Sequence, residues 1–276
     1  MISDSERRAE SRRLVLITGA SGGIGEAFAN VVSEDGADLI LVSRNEGELN
    51  RVRGLVAAKF PKRNISVMAL DLAEADAGAR LAGELKERQL VPDVLINNAG
   101  YGLFGRTAEL PYEEQIGIVD LNIRALTDLT LRLLPAMVAN KSGGVLNVAS
   151  TAAFMPGPFM SLYYASKAYV LSFSEALAAE LAHSGVTVTV LCPGPVPTGF
   201  QTRAQMKSMK FMGYVSSLSA DEVARAGWEG FKQHRRIVVP GTLNKAAAYA
   251  GRYAPRWLTL PVMRFLQTPP QARGSR

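Results

Sequence analysis

A chain of 276 residues with 47% hydrophobic and 20% charged side chains can bury one large α/β core, or at most two small ones. Its only cysteine, Cys192, sits in an apolar run and excludes a disulfide framework, while His183 and His234 lie far from any cluster at metal-ligand spacing. The net charge of +6 is uneven: from Lys232 onward nine Lys or Arg meet no Asp or Glu, so the last 45 residues carry +9 and the rest −3, an asymmetry that favours an anionic partner or surface. No nucleic-acid-binding motif accompanies that charge.

The first dozen residues are polar and charged and read as a disordered arm, not as a secretory signal. Nowhere does the chain reach the run of about 18 apolar residues that a spanning helix needs. With one buried-type cysteine, a reducing, cytoplasmic setting is expected, at most peripheral to the inner face of a membrane.

Residues 14–17 (LVLI) form a short apolar run suited to a buried parallel strand. The run enters the sequence TGASGGIG at 18–25, after which 26–32 reads as helix. Strand, glycine-rich turn and helix in this order are the context of a dinucleotide-phosphate site. Gly19 permits the tight turn, Gly23 lets the backbone approach a pyrophosphate, and Gly25 lets helix and strand pack closely. With Ser21, Gly22 and Ile24 they are the candidate contacts at the positive end of the helix dipole. The second strand, 38–42, ends at Ser43 and Arg44. An acid there would hold the ribose 2′-hydroxyl of NAD(H), whereas arginine accommodates the extra phosphate of NADP(H), so NADP(H) is favoured over NAD(H).

Further strands are expected at 65–70, 94–96, 144–148, 186–191 and 236–239, alternating with helical patterns near 46–60, 74–89, 112–139, 161–184 and 220–231. This rhythm predicts right-handed βαβ crossovers and a mostly parallel sheet covered on both faces, with polar motifs at the carboxyl ends of the strands. After the third strand, Asp71 and Leu72 are placed to meet an adenine. Asn97, Asn98, Ala99 and Gly100 follow the fourth and suit hydrogen bonding across strands beside a closely approaching cofactor. After the sixth, Pro193, Gly194, Val196 and Thr198 belong to a stiff bend whose Val196 backbone and Thr198 hydroxyl suit a carboxamide. No composition break marks a linker between 14 and 240, so the expected organisation is an arm at 1–12, one domain at 13–240 and a basic extension at 241–276.

Tyr163 and Lys167 stand one helical turn apart, thirteen positions after Ser150. Residues at i and i+4 share a helix face, so the ammonium of Lys167 is expected beside the Tyr163 phenol. A cation there would bring the phenol's proton affinity down from about 10 towards working pH, making Tyr163 an acid/base candidate. The neighbouring Tyr164 has only Ala168 at i+4.

Taken together, the glycine run 18–25, Asn97–Gly100, Asn122, Ser150, Tyr163-x-x-x-Lys167 and Pro193-Gly194 resemble the single-domain short-chain dehydrogenase/reductase family over about residues 13–240. The resemblance implies a Rossmann-type, doubly wound, seven-stranded sheet with helices on both faces, a nicotinamide cofactor, and hydride transfer between a carbonyl and an alcohol. It implies that Asn122, Ser150, Tyr163 and Lys167 are the catalytic four, and that helices near 112–139 and 161–184 make a homodimer or homotetramer. On elementary chemistry Ser150 would stabilise charge on the substrate oxygen while Tyr163 donates the proton. Lys167 would bias the tyrosine and bind the nicotinamide ribose, and Asn122 would hold a water leading from Lys167 to solvent.

Phe104, Phe154, Met155, Phe159 and Met160 near the serine, and Phe200, Met206, Met209, Phe211 and Met212 after the sixth strand, suit a bulky lipophilic substrate such as a steroid, a retinoid or a fatty acyl chain. In the basic tail, Trp257, Leu258, Val262, Phe265 and Leu266 fall near helical spacing, with Pro255 and Pro261 limiting helix length. Three uses fit this segment, 254–267: a peripheral membrane contact, a flap over the substrate mouth, or a cover for a neighbouring subunit. A non-catalytic NADP(H)-binding scaffold, and an isomerase or dehydratase using the same tyrosine, are the competing functional classes.

Overall fold

The structure, a computed structural model, describes residues 12–197 and 218–268. Seven strands alternate with helices: β1 (Leu14–Thr18), α1 (Gly23–Glu34), β2 (Asp38–Ser43), α2 (Glu46–Lys59), β3 (Ile65–Ala69), α3 (Ala77–Glu87), β4 (Val94–Asn97) and α4 (Tyr112–Val119). A π-helical turn (Asp120–Ala125) leads from α4 into α5 (Leu126–Asn140). Then come β5 (Gly144–Val148), a 3₁₀ turn (Thr151–Phe154), α6 (Ser161–Glu180), β6 (Thr187–Leu191), α7 (Ala220–Lys232), β7 (Ile237–Val238), α8 (Thr242–Tyr253) and α9 (Arg256–Gln267). The strand order is β3-β2-β1-β4-β5-β6-β7 and every pairing is parallel. This is a Rossmann-type doubly wound sheet. The strand order reverses between β1 and β4, which opens a crevice at their carboxyl ends.

The strands are apolar on both faces because both faces are covered. Val15 and Ile17 point to the layer built by α1, α2 and α7, where Phe28, Leu49 and Trp228 are buried. Leu16 and Leu95 point to the opposite layer with Leu81, Leu129 and Met137 of α3 and α5. The indole of Trp228 donates to Asp35 at 2.9 Å, so its burial leaves no polar atom unpaired. Caps follow the sequence: Asn45 accepts from the Glu48 amide at 3.1 Å, and Ser219 with Glu222 forms a reciprocal capping box on α7. By contrast α1 has no side-chain cap.

Two expectations about the tail meet different fates. Pro255 precedes the first residue of α9 as expected, but Pro261 lies inside the helix and does not end it. A proline removes one helical hydrogen bond and crowds the preceding turn, a local penalty that tertiary contacts can outweigh. Here α9 is anchored at its far end by the buried Gln267, whose side-chain amide bonds the Tyr164 hydroxyl. Ala248 of α8 is buried in a third cluster with Phe154, Val170 and Leu171, so the basic extension packs on the body of the fold.

Candidate active site

The turn after β1 is shaped by what a side chain would strike. Gly19 has φ +65°, and a Cβ there would lie 2.9 Å from the Ala99 Cα. A Cβ on Gly25 would sit 2.2 Å from the Gly19 carbonyl oxygen, so helix α1 approaches the strand too closely for any other residue. Gly19, Ser21, Gly22, Gly23 and Ile24 line the crevice, and Gly25 stands behind the loop, where it lets helix and turn pack closely. The Thr18 hydroxyl accepts from the amides of Asn98 at 2.9 Å and Ala99 at 3.0 Å, and the Asn98 carboxamide donates to the Thr18 carbonyl at 2.9 Å. These bonds join the ends of β1 and β4 at the point where the sheet reverses. Asn97 donates to Asn147 across β4 and β5 at 2.9 Å, the cross-strand bonding expected of this tetrapeptide.

At one end of the crevice the Arg44 guanidinium stands 3.5 Å from the Asp71 carboxylate and is largely exposed. Asp71 also accepts from the Ala73 amide at 3.0 Å. Arg44, Asp71, Leu72, Asn98, Ala99, Gly100, Pro193, Gly194 and Val196 all line the cavity. Thr198 lies outside the described residues, as do Phe200, Met206, Met209, Phe211 and Met212.

Ser150 closes β5. Its hydroxyl accepts from the Ala152 amide at 3.1 Å and donates to the Pro193 carbonyl at 3.3 Å. Tyr163 lies in the first turn of α6, with Lys167 one turn on and buried, and all three residues line the cavity. The Lys167 Nζ donates to the Val148 carbonyl at 2.8 Å and stands 5.8 Å from the centre of the Tyr163 ring. Glycines leave room for this pair: a Cβ on Gly100 would come within 3.4 Å of the ammonium, and one on Gly102 within 2.9 Å of the phenol ring.

Burial sets the electrostatics of the pair. Burial pushes the Tyr163 phenol up to about 12, against a smaller lowering by a hydrogen bond with Ser150. Burial also brings Lys167 down to about 8. Burial is the first cause of both shifts, since each charged form loses water. At neutral pH Tyr163 is therefore a proton donor.

Asn122 stands behind the pair. It is buried in the π-helical turn and outside the cavity lining. Its carboxamide accepts from the Tyr101 amide at 3.1 Å and donates to the Tyr101 carbonyl at 2.9 Å and the Ser166 hydroxyl at 3.0 Å. Both amide hydrogens are thus committed, and the side chain braces the segment beside Gly100 against α6.

The far side of the cavity is apolar and belongs largely to the basic extension. The cavity has a volume of about 1230 Å³. Met155, Met160 and Tyr164 line it, whereas Phe104, Phe154 and Phe159 do not. Its roof is α8 and α9, through Leu243, Asn244, Leu258, Val262, Leu266 and Gln267. The flap reading of the tail fits this placement. Sequence reasoning missed three polar groups here: Tyr164, whose hydroxyl is held by Gln267, and Asn244, whose carboxamide fills the space that a Cβ on Gly194 would need. The only signal for Gln267 was its place one residue beyond Leu266 on an apolar helical stripe. No signal marked Asn244.

A glycine loop shaped for phosphates, a parallel sheet reversing above it, and a tyrosine, serine and lysine around one cleft define a dinucleotide-dependent oxidoreductase. The model of the short chain dehydrogenase family matches residues 13–208, and the chain belongs to that family. It is similar to a short chain dehydrogenase of Pseudocercospora fijiensis, 34% identical over 187 residues, covering 67% of this chain and 60% of that protein. Among solved structures it is similar to a short-chain dehydrogenase from Sphingobium yanoikuyae in complex with NADPH, at 28% identity and TM-score 0.76 over 96% of each chain. It is likewise similar to the bulky-bulky ketone specific alcohol dehydrogenase from Comamonas testosteroni, at 25% identity and TM-score 0.72 over 96% of this chain and 95% of that one. The protein is thus an oxidoreductase of the type acting on CH–OH groups.

Proposed function

We propose that the protein is an NADP(H)-dependent oxidoreductase that interconverts a ketone or aldehyde with its alcohol on a bulky lipophilic body, such as a steroid, a retinoid or a fatty acyl chain. The observation that carries this reading is the convergence of Ser150 and Tyr163 on a single large cavity with the glycine loop at one end and apolar helices at the other. The likeness to an NADPH complex and to a bulky-ketone dehydrogenase supports it.

The nicotinamide, when bound, supplies or accepts the hydride. The backbone of Ser21 to Ile24 is suited to the pyrophosphate, Arg44 to the 2′-phosphate, Leu72 and the Asp71 side to the adenine, and the Pro193–Val196 bend to the carboxamide. Tyr163, protonated at neutral pH, gives its proton to the carbonyl oxygen in reduction and takes one back in oxidation. Ser150 donates a hydrogen bond to that oxygen, and the buried charge of Lys167 favours negative charge on Tyr163 once its proton has left. Asn122 acts as a positioning residue through Tyr101 and Ser166.

The test is Tyr163→Phe, followed by NADPH absorbance with hydrophobic ketones and by NADPH fluorescence. Turnover should fall by about 10²–10⁴-fold with cofactor binding retained. Near-normal turnover in the variant would sink the assignment.

A further inference from the structure

We propose that the outer face of the α8–α9 hairpin docks on an anionic lipid surface, so that the two helices forming the cavity roof also seat the protein on a bilayer. The two helices are apolar on two sides. Inward, Leu243, Leu258 and Val262 line the cavity; outward, Tyr249, Tyr253, Trp257 and Leu260 are exposed, with Tyr253 at 73% and Trp257 at 76%. Tyrosine and tryptophan are the side chains that settle at a membrane–water boundary, with an apolar body and a polar tip. The same outer surface carries Lys245, Arg252 and Arg264, all exposed, in a stretch of sequence without an acid, while the Arg256 guanidinium donates to the Phe154 carbonyl at 3.5 Å. Arg252 stands 3.4 Å from Glu175 of α6, whereas Lys245 and Arg264 have no carboxylate partner among the described residues.

Charge decides between occupants. A second copy placed here by two-fold symmetry would set this cationic face against itself, with no acidic residue of the hairpin to offset it. An anionic bilayer supplies the opposite charge and an apolar interior together. Leu243, Leu258 and Val262 are also partly exposed while lining the cavity, so an apolar path joins the docking face to the pocket. No helix of the described residues is long and apolar enough to cross a membrane, so the contact lies in the interface plane. Delivery of substrate from the lipid rests on the lipophilic substrate proposed above; the docking itself does not.

The test is flotation of the full chain with phosphatidylcholine vesicles, with and without phosphatidylglycerol. Binding is expected only to the anionic vesicles, falling about tenfold or more in Trp257→Glu and in the double variant Lys245→Glu, Arg264→Glu, each tenable for folding because these side chains are exposed. Leu55→Glu, exposed on α2, should bind as the parent does. Absence of binding, or binding that these variants leave unchanged, overturns the proposal. So does a fall in mass on light scattering of Trp257→Glu without any vesicle binding by the parent, which would make the face a contact between copies. NADPH turnover of a small water-soluble ketone, measured without vesicles, should survive Trp257→Glu. Vesicle binding by a protein inactive on every ketone would refute the oxidoreductase reading and leave the docking standing.

Discussion

Burial controls the ionisation of Tyr163 and Lys167 more than their mutual attraction does. The lysine's folded value near 8 lies below its ordinary 10.5, so between those pH values the unfolded chain holds more protons than the native one. Stability therefore rises with pH across that window, and the full cost of burying the cation is present below it. Chemical denaturation should find the deficit of the parent relative to Lys167→Met narrowing by up to about 3 kcal/mol as pH climbs from 8 to 10.5. A constant difference would mean that Lys167 titrates normally. Arg44 supports a second prediction at this scale. Replacing it with aspartate puts two carboxylates together with Asp71 where a 2′-phosphate would lie, so the NADP over NAD preference in kcat/KM should fall by about tenfold or more. An unchanged ratio would show Arg44 to be a surface charge.

Among the elements, the β1–α1 turn and the α6–α9 contact make opposite demands. In the first, no space remains between helix and strand, and Gly25→Ala should cost about 1–3 kcal/mol in denaturation and weaken NADPH binding although residue 25 does not line the crevice. In the second, the Gln267 side-chain amide holds the buried Tyr164 hydroxyl while its own Oε1 has no partner. Truncating one member strands the other. Gln267→Leu alone should destabilise the fold by about 1–3 kcal/mol, and adding Tyr164→Phe should restore most of the loss. Additive losses in that cycle would show that the two side chains do not act as a pair. The π-helical turn holding Asn122 is a third such device, since its carboxamide ties the α4–α5 junction to α6 and to the Tyr101 backbone.

For the whole molecule, Tyr112, Ile116, Leu131, Val138 and Tyr169 leave apolar area exposed on α4, α5 and α6, the helices that the family resemblance implicates in assembly. Light scattering should give a multiple of 29.7 kDa, and Leu131→Glu should lower it; a monomeric parent would refute the assembly. The sheet was legible in the sequence because β strands buried on both faces must be short and apolar throughout, as at 14–18 and 187–191, and because turn glycines fall where the chain passes from strand to helix. The tyrosine–lysine register was legible too, since helical spacing is local. Local rules stop at the next element. Only the tertiary structure decided that Lys167 would bond the Val148 carbonyl, that Asn122 would brace Tyr101, and that a helix carrying Pro261 would run on over the pocket to set Gln267 against Tyr164. Desolvation and long-range hydrogen bonds depend on which distant segments enclose a group, and a side chain's own neighbours along the chain do not record that.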